Sequence, residues 1–284
     1  MKRLLIDTGC YPSLMVKKLV NLKNSSFTVD TDGDHYGIEF WQSLEERRWE
    51  PDTIDFLERE IDSSTLLIDV GAANGSICLL GACFGARVVG YEPNPTVYNV
   101  CFKNISLNHA ISKKILLKLA AVSNVESELF FKVGSNSNII TEISVGKHSD
   151  ANTVIPVLSL ANELEIHARQ NEKIIIKMDI EGAEFVILHD LSTLQALKHH
   201  RVKLLLAVHP GFYRPIGPSK VFRKVRNRIF ILSNFLEAIV LFNEISAHAD
   251  VYRTNLNPIK SSRIFALLII ASYHEFIFDF SKGD

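Results

Sequence analysis

The sequence predicts an α/β fold: a doubly wound, mostly parallel sheet with helices on both faces. Three observations carry that expectation: short runs apolar at consecutive residues, helical segments alternating with them, and an acid and two glycines where the first such run ends. Strands of a parallel sheet are covered on both faces, so they read as unbroken hydrophobic runs, and each needs a crossover helix before the next.

The runs "TLLIDV" (65–70), "ARVVGYE" (86–92), "KILLKLAAV" (114–122), "KIIIKMDI" (173–180) and "VKLLLAV" (202–208) fit that description. A helix opens at Pro51, which suits the first helical position. Asp52 complements the helix dipole, and Ile54, Phe56, Leu57 and Ile61 form the apolar stripe. Further helices are expected over 75–85, 95–108, 159–168 and from Ala183, with a hairpin-like pair at "ELFFKV" and "TVIPV". A helical stretch over 219–246 precedes two extended pieces, "DVYRTN" and "IFALLIIAS", which would close the sheet as an edge hairpin.

With 31 basic and 32 acidic residues the net charge is −1, which lacks the positive footprint of a general nucleic-acid binder, so no nucleic-acid partner is expected. The basic run "KVFRKVRNR" (220–228) reads as a solvated helix face. Cys10, Cys78, Cys83 and Cys101 have neither zinc-site spacing nor the density of a disulfide scaffold; reduced thiols and a cytoplasmic location are expected. The apolar start "MKRLL" is broken by Asp7, too early for a signal peptide. The longest apolar run, from Ile264, is about half the ~20 residues of a membrane span, so no span is expected.

The chemistry concentrates in "LLIDVGAANGS" (66–76). Gly71 and Gly75 allow backbone conformations and close approaches that a side chain forbids, at the strand end where open α/β sheets bind ligands. A dinucleotide loop would read G-x-G-x-x-G, but Ala73 stands where the second glycine should be, and the Asp69 carboxylate suits a cation better than pyrophosphate. Glu92 ends the next strand at the distance of a ribose-binding acid, whose two oxygens suit the 2′ and 3′ hydroxyls. Ribose, a positive charge and no pyrophosphate together describe S-adenosylmethionine.

These pieces, with "VVGYEPNP", "FKNISLN", "LAAVS" and above all "IIIKMDIEGAEFVIL", resemble the FkbM family of class I methyltransferases over about residues 48–210. The resemblance implies a seven-stranded Rossmann-like methyltransferase sheet with an antiparallel C-terminal edge. It implies an N-terminal extension (1–48) packing on a methyltransferase domain (49–284), with a cofactor half (49–210) and C-terminal closing elements (211–284). It further implies methyl transfer from S-adenosylmethionine to a hydroxyl of a sugar, glycan or secondary metabolite. Asp69, Gly71 and Gly75 would surround the methionine portion and Glu92 would hold the ribose. Asn94 and Ser123 would flank the cofactor, and Asp179 would face the transfer region.

Two positions depart from the family pattern. "LSL" with Ser159 and Leu160 replaces T-L-D, and Ala207 replaces the acid of E-x-H while His209 is kept. A catalytically silent cofactor-binding module is therefore a rival reading, and a nicotinamide-dependent oxidoreductase is another.

His209 ends a central strand with an unperturbed pKa near 6.5, suited to a general base, or it fixes the turn into "HPGFYRP". Glu181 and Glu184, three apart at a helix start, are read as acceptor-site residues, as ligands of a divalent metal, or as helix caps. Trp41, Trp49, Phe212 and Tyr213 flank the cofactor strands and are read either as lining an acceptor pocket or as core, with core packing the default for the tryptophans.

Overall fold

Five of the chain's apolar runs are unbroken because the sheet they build is covered twice. The computed structural model describes residues 17–31, 37–131, 143–144, 153–180, 184–208, 236, 238–270 and 275–282. A hairpin, β1 (Lys17–Asn21) and β2 (Ser26–Asp30), is followed by helices α1 (Gly37–Glu45) and α2 (Pro51–Glu60). Then come β3 (Thr65–Val70), α3 (Ser76–Phe84), β4 (Arg87–Tyr91), α4 (Pro95–Ser106), the short α5 (His109–Ser112) and β5 (Ile115–Lys118).

After β6 (Ala121–Ser123), β7 (Ser127–Phe131), β8 (Ile143–Ser144) and β9 (Thr153–Ser159), the alternation resumes. Its elements are α6 (Leu160–His167), β10 (Lys173–Met178), α7 (Glu184–Leu188), α8 (Leu191–His199) and β11 (Lys203–Ala207). A helical stretch α9 at 238–245, β12 (Asp250–Arg253), α10 (Ser262–Ile270) and β13 (Glu275–Asp279) complete the main domain elements.

The main sheet has seven strands in the order β12-β13-β11-β10-β3-β4-β5. β3, β4, β5, β10 and β11 pair in parallel, and β13 runs antiparallel to both β11 and β12. The expected α/β sheet with an antiparallel C-terminal edge is therefore what the chain forms. A second sheet, β6-β9-β7-β8, holds the expected β7–β9 hairpin pairing.

Alternate residues of each strand enter two separate cores. Leu66, Ile68 and Val70 of β3, Ile174, Ile176 and Met178 of β10, and Phe276 and Phe278 of β13 face α6 to α10. Leu67, Ile175, Leu205 and Ile277 face the other way, toward α1 to α4 and the β1–β2 hairpin, with Trp41, Phe56 and Phe27 buried among them. That second face is apolar only up to a point: the next residues along it on the central strands are Asp69 and Lys177.

Two expectations are corrected. The run 264–272 was expected to be a strand, but Ser262–Ile270 is helix α10, and the closing strand is the shorter "EFIFD" of β13. Phe265, Ala266 and Ile269 are buried while Ile264 and Leu267 are exposed, which is helical spacing. A continuous apolar run carries no period of its own, so only packing decides it. The segment 114–122, expected as one strand, is divided between β5 of the main sheet and β6 of the second. Of the helix expected over 219–246, residues 219–235 and 237 lie outside the described residues.

No described helix is long and apolar enough to cross a membrane. Cys78, Cys83 and Cys101 are free thiols, and Cys10 lies outside the described residues.

The α10 assignment predicts an asymmetry that a strand would not give, because residues two apart share a face in a strand and not in a helix. Phe265 is fully buried, with ring centroids 4.5 Å from Phe276 and 5.4 Å from Phe242, whereas Leu267 is 57% exposed. In urea unfolding, Phe265→Ala is expected to cost about 3–5 kcal/mol. Leu267→Ala is expected to stay within about 0.5 kcal/mol.

Candidate functional site

The loop after β3 is held from both sides. Gly71 has φ +94°, and a Cβ there would stand 2.1 Å from the carbonyl oxygen of Asp179, so the position takes no side chain without moving β10's end. Gly75 has φ +88° as the residue that opens α3, with the Cys101 sulfur 3.0 Å from where its Cβ would be. Backbone N–H groups of Gly71 and Ala72 donate to the Tyr91 carbonyl, and that of Asp179 donates to the Val70 carbonyl. The strand ends of β3, β4 and β10 are thereby tied together.

Glu92 closes the loop from the β4 side. Its Oε2 accepts from the Ala73 N–H at 3.0 Å, and its Oε1 accepts from the Asn94 N–H at 2.8 Å. Ala73 takes φ 49°, an unusual value for a residue with a side chain, and the bond to Glu92 holds it there. A carboxylate can accept about four hydrogen bonds, so anchoring the loop does not exhaust it.

Asp69 is 1% exposed and accepts from the Cys78 thiol at 3.1 Å. Burial pushes its carboxyl up to about 6, with the Cys78 thiol and Lys177 pulling the other way. Cys78 stays a thiol, its pKa raised by a hydrogen bond with Cys101, by burial and by Asp69. Lys177 stands beside Asp69 in the β3–β10 register and is 2% exposed. Burial alone would lower its pKa, but Glu50, Asp179, Glu275 and Asp69 outweigh that and hold it above its usual value, so it remains an ammonium ion. Its Nζ lies 3.5 Å from Asp179, 3.6 Å from Glu275 and 3.7 Å from Glu50.

Over this cluster lies a cavity of about 170 Å³ whose wall includes Phe40, Trp49, Glu50, Asp69, Gly71, Lys177 and Asp179. Phe40 and Trp49 meet edge to face at 5.0 Å and form its apolar side. Trp41 is a core residue at 0% exposure, while Trp49 belongs to the pocket; Phe212 and Tyr213 lie outside the described residues.

The remaining sequence candidates are dispersed. Asn94 caps α4, its Oδ1 accepting from Thr96 N–H at 3.0 Å, and Ser123 lies on β6 with its hydroxyl donating to Asn124. Glu184 is fully buried and its Oε1 accepts from the Ile180 N–H at 3.2 Å, a reach back to the backbone before α7. Glu181 and His209 lie outside the described residues. Ser159 precedes α6, and its side chain makes no capping bond there.

Sequence reading missed three members of the cluster. Lys177 was legible as the one charged residue inside "IIIKM", flanked by apolar residues on a buried strand. Glu50 sits just before Pro51 and carried no signal beyond its place at a helix start. Glu275 could not be found while 264–272 was read as the closing strand. Glu275 pairs directly with Ala207 in the β11–β13 register, so the acid missing from β11 has a counterpart on the neighbouring strand.

Among the described residues, the three donors that gather closely enough to hold a metal are Glu165, His199 and His200. They lie at the opposite edge, beside the starts of β10 and β11, and lend no support to a divalent metal at Asp179.

Several solved structures are similar in part. One is a geranyl diphosphate methyltransferase in complex with GPP and sinefungin (12% identity, 89% of this chain and 87% of that one, TM-score 0.38). Another is a SAM-dependent methyltransferase from Agrobacterium tumefaciens (12%, 69% and 55%, 0.36). A third is an rRNA methylase from Streptococcus thermophilus (11%, 80% and 92%, 0.35). No curated protein matches the chain in sequence. Residues 69–232, more than half of the chain, match the methyltransferase FkbM domain, and the chain belongs to the FkbM methyltransferase family.

Proposed function

We propose that this protein transfers a methyl group from S-adenosylmethionine to a hydroxyl oxygen of a small molecule or glycan. The observation that carries the reading is the 71–75 loop, clamped between Asp179 and Glu92 at the carboxyl ends of three parallel strands. That is where an open α/β sheet receives a nucleotide-like ligand. Asp69, Gly71 and Gly75 would surround the methionine portion and Glu92 the ribose, with Asn94 and Ser123 toward the adenine. The cofactor supplies an electrophilic methyl group on a sulfonium. The protein's part is to align the acceptor, exclude water and take the hydroxyl proton. Asp179 at the pocket wall and His209 just past β11 are assigned to alignment and proton removal; Glu181 and Glu184 are read as acceptor-side or capping residues.

The silent-module reading leans on Ala207 and on Ser159. The presence of Glu275 opposite Ala207 weakens it, because an acid still reaches Lys177 from that side. The oxidoreductase reading is disfavoured by Ala73 and by a buried carboxylate where pyrophosphate would come.

Calorimetry separates these. S-adenosylmethionine is expected to bind and NAD not to; the reverse result would overturn the proposal. Glu92→Ala is expected to weaken S-adenosylmethionine binding about 10- to 100-fold, the loss of one or two hydrogen bonds to a charged acceptor. Unchanged affinity in a variant with native circular dichroism would remove Glu92 from the ribose site. His209→Ala is expected to lower turnover at least about tenfold with cofactor affinity retained, since general-base catalysis typically contributes more than that. A rate equal to that of the unaltered protein across the pH range would remove His209 as the base.

A further inference from the structure

The pocket gathers more acid than its single ammonium can balance. Lys177 is surrounded by Asp69 from β3, Asp179 from the end of β10, Glu275 from β13 and Glu50 from the start of α2. Four ionised carboxylates against one ammonium would leave three uncompensated negative charges in a mostly buried space. Like charges so close do not all ionise: at least one group keeps a proton, or a cation enters.

Glu50 is the group placed to do this. Its Oε2 is buried and has no hydrogen-bond partner while the side chain is ionised. Lys177 at 3.7 Å is beyond hydrogen-bonding distance. Two carboxylates have no proton to share, but one proton added to the pair lets Glu50 and Glu275 join in a hydrogen bond. Glu275 Oε1 is already engaged, by Thr53 Oγ1 donating at 2.8 Å and by Lys177 at 3.6 Å, whereas the buried Oε2 of Glu50 has no partner, so the proton is placed on Glu50. Its backbone is in the left-handed region at φ 39°, ψ 56°, and the residue lines the cavity.

We propose that Glu50 is a proton-holding group of this pocket, positioned by Glu275 and Lys177, which releases its proton to solvent when a cationic ligand enters. The released state leaves a carboxylate at the cavity wall, able to accept a proton from an acceptor hydroxyl. Burial, with Glu275 and Asp179 adding to it against Lys177, places the Glu50 carboxyl at about 8 in the ligand-free protein, so near neutral pH the proton is in place. A cation brought into the cavity lowers that value, and the proton leaves. By linkage, affinity for a cation then rises with pH up to about 8 and flattens above it.

The inference rests on the reading of the pocket as an S-adenosylmethionine site, and the test separates the two. Titration calorimetry of the full chain near pH 7, in phosphate and in Tris, reads protons released on binding; the probes are cationic S-adenosylmethionine and neutral S-adenosylhomocysteine. The unaltered protein is expected to release about one proton with the first and close to none with the second, and Glu50→Gln to release none with either. The dissociation constant for S-adenosylmethionine is expected to fall by up to about tenfold per pH unit between about pH 6 and about pH 8, with that for S-adenosylhomocysteine flat. This second measurement needs no variant. Binding of S-adenosylmethionine without proton release, or full release retained in Glu50→Gln, overturns the role of Glu50 and leaves the cofactor site standing. Failure of both probes to bind overturns the cofactor site itself.

Discussion

One buried ammonium organises this molecule. Lys177 lies on a central strand whose neighbours on both sides are covered, and an unpaired charge in such a place costs several kcal/mol. It is tolerable only because carboxylates reach it from four places in the chain: the start of α2, β3, the end of β10 and β13. The lysine therefore ties an early segment and the last strand to the centre of the sheet. It also keeps the carboxyl edge of this face polar, where the same face one turn of the pleat earlier is Leu67, Ile175, Leu205 and Ile277.

The loop depends on the same strand. Gly71 must pass against the Asp179 carbonyl, so any side chain there would push on the residue two beyond Lys177. Glu92 fixes the far side of the loop by taking the Ala73 and Asn94 N–H groups. The acid read from the sequence as a ligand contact thus has a structural duty as well. That duty is compatible with the proposed ribose contact, since holding the loop is what fixes where the carboxylate stands.

The parallel half of the sheet was legible because its strands are apolar on both faces and end in turn residues; β3, β4, β10 and β11 fall within a residue or two of their expected bounds. The loop was legible for a local reason, since its glycines and acids lie close together in sequence. The closing edge was not. A ten-residue apolar run suits a helix or a strand equally, and the packing of Phe265 between Phe242 and Phe276 decides for helix. Glu50 and Glu275 were illegible for a different reason: they are 225 positions apart, and only the sheet brings them to one ammonium.

Ala207 shows how a departure from a family pattern changes meaning once register is known. From the sequence, an acid is lost at the end of β11, which argues for weakened chemistry. In the sheet, Glu275 lies directly across from Ala207, and antiparallel partners project to the same face. A glutamate at both positions would set two more like charges side by side, at a place already holding Asp179, Glu50 and Asp69. The small residue at 207 is then the condition under which β13 can contribute its own acid. An acid stands at this place in the sheet from the neighbouring strand, so the loss of a motif residue is weak ground for calling the site silent.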